Sequence, residues 1–228
     1  MKQLIFTLLF LILLTSCNKK TVLLPETNNK DITEILDVSP VYLFYDETQP
    51  DSTEFNRKNM ISTTNWLVNI DKRLTLKQIL PHLQYLQDKR HGDGMHTNKS
   101  AKNYFTCSNP ELQNLAFIEF TDVVYHNESS GDYLSKVSNL SDSRNAISIV
   151  FNLNDEITFI DSNSKSFISK INSNHLIQSI KENDSLENII YLNFHEDLNY
   201  QDYITYKSLL LELDLKHSKI SNQEFLHN

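Results

Sequence analysis

Two histidines and an aspartate close together in the sequence have the residue types to bind a metal. They lie in His91-Gly92-Asp93-Gly94-Met95-His96, and His82 precedes them on a predicted helix. Imidazole and carboxylate groups are suitable ligands for Zn²⁺. However, the spacing matches no zinc motif, and the two glycines fit a helix exit and a turn equally well. A metal site and a solvated loop both stay open, and we favour the loop.

A second group of ionisable residues, His195-Glu196-Asp197, follows a predicted strand. Pockets in α/β sheets often open at this place, so the group could offer acid/base chemistry. No nucleophile or oxyanion donor is identifiable beside it, and we favour a solvated strand end. Asp46-Glu47, after the first predicted strand, has the same interpretation.

The thiol of Cys107 lies in the polar, turn-like stretch 106–110. A nucleophilic cysteine needs a partner base, and no family signature surrounds this one, although His91 and His96 are in the same region. We favour an incidental or buried thiol. With Cys17 assigned to a different role below, the chain has no pair of cysteines for an intramolecular disulfide.

The aromatic residues favour a core over a binding platform. Trp66 and most of the tyrosines and phenylalanines lie at strand spacing, which indicates packing and not sugar stacking. Tyr200, Tyr203 and Tyr206 recur every three residues on a predicted helix. If part of that stripe is exposed, it could bind a partner protein.

The amino terminus carries the most specific pattern in the chain. Met1-Lys2-Gln3 bears one positive charge, and Leu4 to Leu14 is an apolar run interrupted only by Thr7. That length is typical of a secretory signal and is too short to span a bilayer, which needs about 20 residues. Leu14-Thr15-Ser16-Cys17 then resembles the lipobox of bacterial lipoproteins.

This resemblance implies that residues 1–16 are cleaved and that Cys17 becomes the first mature residue, lipidated on its sulfur. The thiol is needed because the diacylglyceryl group is attached as a thioether. One acyl chain holds a protein only marginally, whereas two or more give a durable anchor. We therefore expect an exported protein on the periplasmic or outer-surface side of the cell envelope. An ordinary signal peptide with an incidental cysteine is the less favoured alternative.

Composition limits the classes of function. The 21 Lys and Arg residues face 29 Asp and Glu, a net charge of −8, without a basic cluster. Nucleic acid and anionic lipid are therefore not expected partners. The chain has only three glycines, which counts against a glycine-rich phosphate loop, and no cofactor-binding motif is present.

The organisation of the chain follows from its apolar periodicity. Residues 17–36 are predicted to form the anchor and a polar tether, and residues 37–126 a first α/β half. Strands are predicted over Val41–Tyr45, Trp66–Ile70 and Leu115–Phe120, with residues 46–63 and 91–112 as loops. A helix over Thr75–Arg90 begins with a capping-box pattern at Thr75 and Gln78. Pro81 predicts either a bend or a regular helix that starts only there.

Residues 127–145, rich in Ser and Asp, are predicted to be a linker, and residues 146–228 a second α/β half. Its predicted elements are a hairpin from Ile147–Phe151 and Ile157–Ile160, a helix near His175–Lys181, a strand over Ile189–Phe194, a helix from Asn199 and a final strand after Ile220. That order resembles the periplasmic domain of the ExbD/TolR family of biopolymer-transport proteins. The transmembrane helix of that family, with its ionisable Asp, has no counterpart in the mature chain.

The expected fold class is α+β, with small mixed sheets, helices packed on one face and two related β-β-α-β units. In the duplication hypothesis, Leu74–Leu83 and Leu115–Tyr125 match Ile171–Ile180 and Ile189–Tyr200. The leading functional hypothesis is a non-enzymatic, lipid-anchored envelope protein that acts on a protein partner. The alternative is a surface enzyme or ligand-binding lipoprotein that uses the His91–His96 loop.

Overall fold

The computed structural model describes residues 20–92, 98–137, 145–161, 166–184 and 187–228. Two mixed sheets account for the strands in these ranges, and the expected α+β class is confirmed. Buried side chains from both sheets and from the helices beside them form one hydrophobic cluster, which includes Leu43, Trp66, Phe105, Phe194 and Tyr203.

The first sheet has the strand order β2-β1-β3-β4-β5. Its strands are β1 (Val38–Tyr45), β2 (Thr53–Asn56), β3 (Asn65–Ile70), β4 (Asn103–Asn109) and β5 (Asn114–Glu119). β1, β3 and β4 run parallel, whereas β2 and β5 pair antiparallel at the two edges. The predicted strands exist here, but β2 and β4 lie in stretches that we predicted to be loops.

Helix α1 (Leu76–His91) joins β3 to β4, as the βαβ connection of parallel strands requires. It begins at Leu76 and runs through Pro81, so a start at Pro81 is wrong. The Thr75 N–H donates to Gln78 Oε1 at 2.8 Å, which is one arm of the predicted capping box. Leu76, Ile79, Leu80, Leu83 and Leu86 are buried, as their spacing predicted.

The second sheet has the strand order β6-β11-β10-β7-β8-β9. Its strands are β6 (Val124–His126), β7 (Ala146–Phe151), β8 (Ile157–Asp161), β9 (Ser166–Ile171), β10 (Ile189–His195) and β11 (Lys219–His227). The predicted hairpin is confirmed: β7 and β8 pair antiparallel, and Asn154 and Asp155 both have the positive φ typical of a tight hairpin turn. β9 is an additional strand that the predicted order lacked.

In the part of the chain that the structure describes, three α-helices accompany the second sheet: α2 (Ser130–Val137), α3 (Leu176–Glu182) and α4 (Tyr200–Leu211). A 3₁₀ turn at Ser173–His175 precedes α3. α4 lies between the two sheets, since the ring of Tyr203 contacts both Phe194 of β10 and Phe105 of β4, with centroids 5.0 and 6.0 Å apart. α2 packs on the opposite face of the second sheet, where Tyr133 and Leu134 contact a small cluster around Phe225.

The predicted linker at residues 127–145 is therefore wrong where the structure describes it, because it contains α2. Ser129 and Asp132 cap this helix, and Ser130 docks it on the sheet. Ser130 is buried, and its N–H donates to Asn193 Oδ1 of β10 at 2.7 Å. β6, just before this segment, pairs with β11, so the first part of the chain contributes a strand to the second sheet.

The predicted tether at residues 17–36 is also wrong from residue 20 onwards. We call residues 20–36 the strap, because they lie on the folded body. Pro25 and Thr27 are buried, and the backbone of this stretch pairs with Ser108 of β4. Further along, the Phe117 N–H of β5 donates to the Ile32 carbonyl at 3.0 Å. The polar residues of the strap form hydrogen bonds with the folded body.

The two sheets share an internal repeat. The order β2-β1-β3-β4 with α1 before β4 corresponds to β8-β7-β10-β11 with α4 before β11, and each pair of neighbours has the same relative direction. The correspondence differs from the one predicted, since α1 matches α4 and β3 matches β10. β9 and α3 are insertions in the second unit.

Candidate functional site

A polar cleft of about 720 Å³ lies at the carboxyl ends of β6, β7, β10 and β11. Parallel strands of an α/β sheet present their following loops at this end, which is where such folds commonly bind ligands. Its ionisable and polar lining includes Glu128, Ser129, Asp132, Asn193, Glu196 and His227. We take this cleft as the candidate site.

The amino end of α2 forms one wall of the cleft. Ser129 precedes the helix, and its Oγ accepts the Asp132 N–H at 3.1 Å and donates to Asp132 Oδ2 at 2.7 Å. This Ser-x-x-Asp arrangement satisfies a free N–H of the first turn. Below it, the hydroxyls of Ser130 and Ser148 of β7 are 2.7 Å apart. The Ser129 hydroxyl is therefore a helix cap and not a free nucleophile.

Two glutamates in the lining are paired with lysines. Glu196 Oε1 lies 2.6 Å from Nζ of Lys77, which belongs to the first turn of α1, and this hydrogen bond raises the pKa of Lys77. Glu128 forms an ion pair with Lys136 of α2. Exposed pairs of this kind contribute little stability, so both carboxylates remain able to exchange partners with a ligand.

His227 contributes the one unsatisfied group among the cleft residues that the structure describes. Its Nε2 is buried without a hydrogen-bond partner. Burial lowers the pKa of His227, and the nearby His195, whose ring centroid is 5.4 Å away, lowers it further. The ring is therefore neutral near pH 7. Buried polar atoms normally have a partner, so this nitrogen is suited to a polar ligand.

No known family, curated protein or solved structure gives a significant match to this chain. Within the described ranges, no helix combines the length and the apolar character needed to cross a membrane. Function therefore has to be inferred from the residues and their geometry.

The structure brings part of the predicted group His195-Glu196-Asp197 to the cleft. Glu196 lines the cleft, and the ring of His195 contacts that of His227. The side chain of Asp197 is exposed, and the Asp197 N–H donates to His195 Nδ1 at 3.1 Å. The predicted group lies at the end of the sheet where the cleft opens, but His227, Ser129 and Asp132 were not predicted as part of its lining. Sequence offers little signal for His227, because it is the last residue of β11, and only the pairing of β11 with β10 brings it beside His195.

The predicted metal loop is only partly described. His91 Nε2 lies 3.1 Å from the Thr121 carbonyl oxygen, and residues 93–97, which include Asp93 and His96, lie outside the described residues. The ring of His82 packs against Phe55 with centroids 4.7 Å apart, and burial lowers its pKa. Among the residues that the structure describes, no group of three His, Cys, Asp or Glu side chains is placed to hold a metal ion.

The thiol and the tyrosine stripe are both in the core. Cys107 lies in β4, where burial raises the pKa of its thiol to about 12, which confirms a buried and unreactive cysteine. Tyr200, Tyr203 and Tyr206 are all buried, so the partner-binding interpretation of the stripe is wrong. Trp66 is a core residue as predicted, and the Arg90 guanidinium lies 3.6 Å from its ring centroid.

An apolar stripe on the outer face of β1 is a feature that sequence reasoning missed. Val38, Pro40, Tyr42 and Phe44 alternate with the buried side of the strand and remain at least partly exposed. The rings of Tyr42 and Phe44 stack with centroids 5.5 Å apart. The run Val38–Tyr45 is almost wholly apolar, which is typical of a strand buried on both faces. Among the described residues, these four side chains belong to neither hydrophobic cluster, whereas α2 packs on the outer face of the second sheet.

Proposed function

We propose that this chain is a lipid-anchored cell-envelope protein that acts by contact with another envelope protein. The anchor is supported by the lipobox-like Leu14-Thr15-Ser16-Cys17. The resemblance of residues 146–228 to the ExbD/TolR periplasmic domain also supports an envelope assembly. Within that region the predicted elements occur in the predicted order, with β9 added.

The apolar stripe Val38, Pro40, Tyr42 and Phe44 is the observation that carries the protein-contact part of the proposal. A partly exposed row of apolar and aromatic side chains on a sheet face leaves apolar surface in water and is typical of an interaction surface. Tyr and Phe are also among the residues enriched where proteins meet.

Lipidation is tested by mass and by partition. The mature protein is expected to begin at Cys17 with acyl groups on it and to enter the detergent-rich phase of a Triton X-114 extract. Cys17→Ala is expected to abolish acylation and move the protein to the aqueous phase. A wild-type protein that is unacylated and enters the aqueous phase, as Cys17→Ala is expected to do, would overturn the proposed anchor.

The contact surface is tested by in-cell photo-crosslinking with a benzophenone amino acid placed at Tyr42. A matched control places it at Thr158, on the outer face of the second sheet. A specific product from Tyr42 alone supports the proposal. Equal products from both positions, or none from Tyr42 while the protein is correctly anchored, would contradict it.

A second candidate function, a ligand-binding lipoprotein, is favoured by the cleft and its unpaired His227 Nε2. This shifts the alternative site from the His91–His96 loop to the carboxyl end of the second sheet. Native mass spectrometry of residues 20–228 tests it: a bound small molecule lost in His227→Ala supports the ligand reading. A spectrum with the mass of the polypeptide alone counts against it.

A further inference from the structure

We propose that one particular end of this protein lies on the bilayer: the end that carries the β1–β2 loop, residues 46–52, and the first turn of α1. This inference rests on the proposed lipidation of Cys17 and deepens it, because it states how the folded body is oriented on the membrane.

The strap begins its contacts with the body at its first residue. Lys20 Nζ lies 2.8 Å from Asp46 Oδ2, at the end of β1, and also pairs with Glu54 of β2. The hydrogen bonds from Lys20 and Thr48 lower the pKa of Asp46 to about 2, so its carboxylate is charged under ordinary conditions.

Later contacts fix the strap to both halves of the molecule. Asp71 Oδ2 accepts the Leu23 N–H at 3.1 Å, and the Leu23 carbonyl accepts the Lys72 N–H at 2.8 Å. Gln201 of α4 exchanges two hydrogen bonds with the Glu26 backbone, at 2.8 and 3.0 Å. The exit of the strap towards Cys17 is therefore set by the fold.

Chain length then limits the distance between the body and the bilayer. Cys17 is three residues before Lys20, and each step between Cα atoms spans 3.8 Å. Whatever path residues 17–19 follow, Cys17 lies within ~11 Å of Lys20. A tether as long as the predicted residues 17–36 would leave orientation free, whereas three residues hold the Lys20 side of the molecule at the lipid surface.

The candidate cleft belongs to the same end. Gln78 Nε2 in the first turn of α1 donates to the Asp51 carbonyl of the β1–β2 loop at 2.7 Å. The neighbouring Lys77 pairs with Glu196, which lines the cleft. A continuous row of contacts thus joins the strap exit, the loop and the cleft. Ligands of the cleft would be bound near the bilayer.

The charge of this end shows whether electrostatic attraction or the acyl chains hold it to the membrane. Carboxylates outnumber cations at it: Asp46, Glu47, Asp51, Glu54, Asp71 and Glu196 against Lys20, Lys72, Arg73 and Lys77. Such a surface is not attracted to anionic lipid. The acyl chains must supply the attachment, so retention on vesicles is expected to be unchanged when phosphatidylglycerol replaces part of the phosphatidylcholine.

The orientation is tested with the full-length mature lipoprotein in phosphatidylcholine vesicles that contain a headgroup-spin-labelled lipid. A fluorophore is attached to a new cysteine at Gln49, in the β1–β2 loop, or at Glu187, before the amino end of β10; both positions are exposed. Cys107 is buried and will not compete for the label. We expect quenching at Gln49 and none at Glu187.

A variant with about ten Gly and Ser residues inserted after Asn18 is the matched control, since a flexible linker of that length spans roughly 17–19 Å. It is expected to remain anchored and to lose the difference between the two labels. Equal quenching at Gln49 and Glu187 in the anchored parent protein would overturn the orientation alone. An unacylated protein that fails to bind vesicles would overturn the proposed lipidation instead.

Discussion

The two halves of the molecule contain the same folding unit and differ in what covers it. In the first, the strap occupies the carboxyl end of β3 and β4, and the outer face of the sheet is partly exposed along β1 but buried at Tyr104, Thr106 and Phe117. In the second, α2 covers part of the outer face, and the carboxyl end holds an open cleft. The strands and helix that the two units share form the core, whereas the candidate interaction surfaces lie where the two units differ.

One asparagine in each unit illustrates this difference. Asn69 of β3 and Asn193 of β10 occupy equivalent positions, each seven residues before the first residue of the helix that follows, Leu76 or Tyr200. The amide of Asn69 donates to the backbone carbonyls of Val41 and Leu67, both at 3.0 Å. Asn193 keeps the bond to the carbonyl two residues earlier, that of Tyr191 at 3.4 Å, and its Oδ1 accepts the Ser130 N–H of α2. The equivalent residue of the second half therefore also docks an added helix.

The units meet through equivalent residues. The Leu76 N–H donates to the Leu198 carbonyl at 2.9 Å, and the Tyr200 N–H donates to the Leu74 carbonyl at 2.7 Å. Thr75 and Asn199, the residues before the two helices, form an antiparallel bridge. This reciprocal pattern is what an approximate two-fold axis between the halves requires.

The largest effect is expected from the leucines at this junction. Leu74 and Leu198 are buried, so either Leu→Ala substitution leaves a cavity and should cost about 3 kcal/mol of unfolding free energy. Urea unfolding followed by the fluorescence of Trp66, in the first half, measures both. Because the core is one cluster, Leu198→Ala in the second half should shift the Trp66 transition as much as Leu74→Ala does.

Leu36→Ala is the matched control, because Leu36 is 75% exposed, and its transition should stay at the parent midpoint. If Leu198→Ala lowered only the far-ultraviolet circular dichroism transition and left that of Trp66 in place, the halves would be independent folding units and the shared core would be wrong.

The sequence predicts those features of the two halves that neighbouring residues determine, and it misses those that depend on contacts between distant parts of the chain. The α1 apolar spacing, the Asn154-Asp155 turn and the Ile189–Phe194 strand are local patterns, and they were predicted correctly. β4 was missed because Asn103, Thr106 and Asn109 resemble a polar loop, yet all three are buried. The Asn103 amide pairs with Gln87 of α1, at 3.1 Å, a long-range contact that no local pattern reveals.

The strap and the tyrosines were mispredicted for the same reason. Residues 20–36 look like a polar tether because their partners, such as Ser108 and Gln201, are far away in the sequence. The three-residue spacing of Tyr200, Tyr203 and Tyr206 predicts one helix face but not whether something packs on it. Here Phe105 of the first half and Phe194 of the second cover it.

A medium effect is expected where the inner faces of the sheets differ. Val68 of β3 and Leu192 of β10 occupy equivalent positions in the two units. The residue paired with Val68 is Phe105 of β4, whereas the residue paired with Leu192 is Glu224 of β11. Glu224 is 1% exposed, accepts a hydrogen bond from the Tyr203 hydroxyl at 2.7 Å and pairs with Lys207. The second unit thus has a buried charge where the first has an aromatic ring.

Lys207→Met leaves the Glu224 carboxylate buried without its cation and should cost about 2 kcal/mol, less than a fully buried pair because Lys207 keeps some exposure. Lys207→Met combined with Glu224→Leu should recover most of that loss in urea unfolding. A double variant no more stable than Lys207→Met would show that the Tyr203 bond to Glu224, and not the charge balance, is what matters.

The smallest effect is expected from one half-buried histidine in each half, His82 beside Phe55 and His227 in the cleft. Burial lowers the pKa of both in the folded protein. Their neutral rings therefore contribute stability that is complete above the unfolded value near 6.5 and is lost as pH falls through the folded pKa. Between pH 7.5 and 5, the urea midpoint of His82→Gln or His227→Gln should fall less than that of the parent. A parallel fall in parent and His227→Gln would mean that Nε2 is as well solvated in the fold as in the unfolded chain, and the cleft would lose its unsatisfied group.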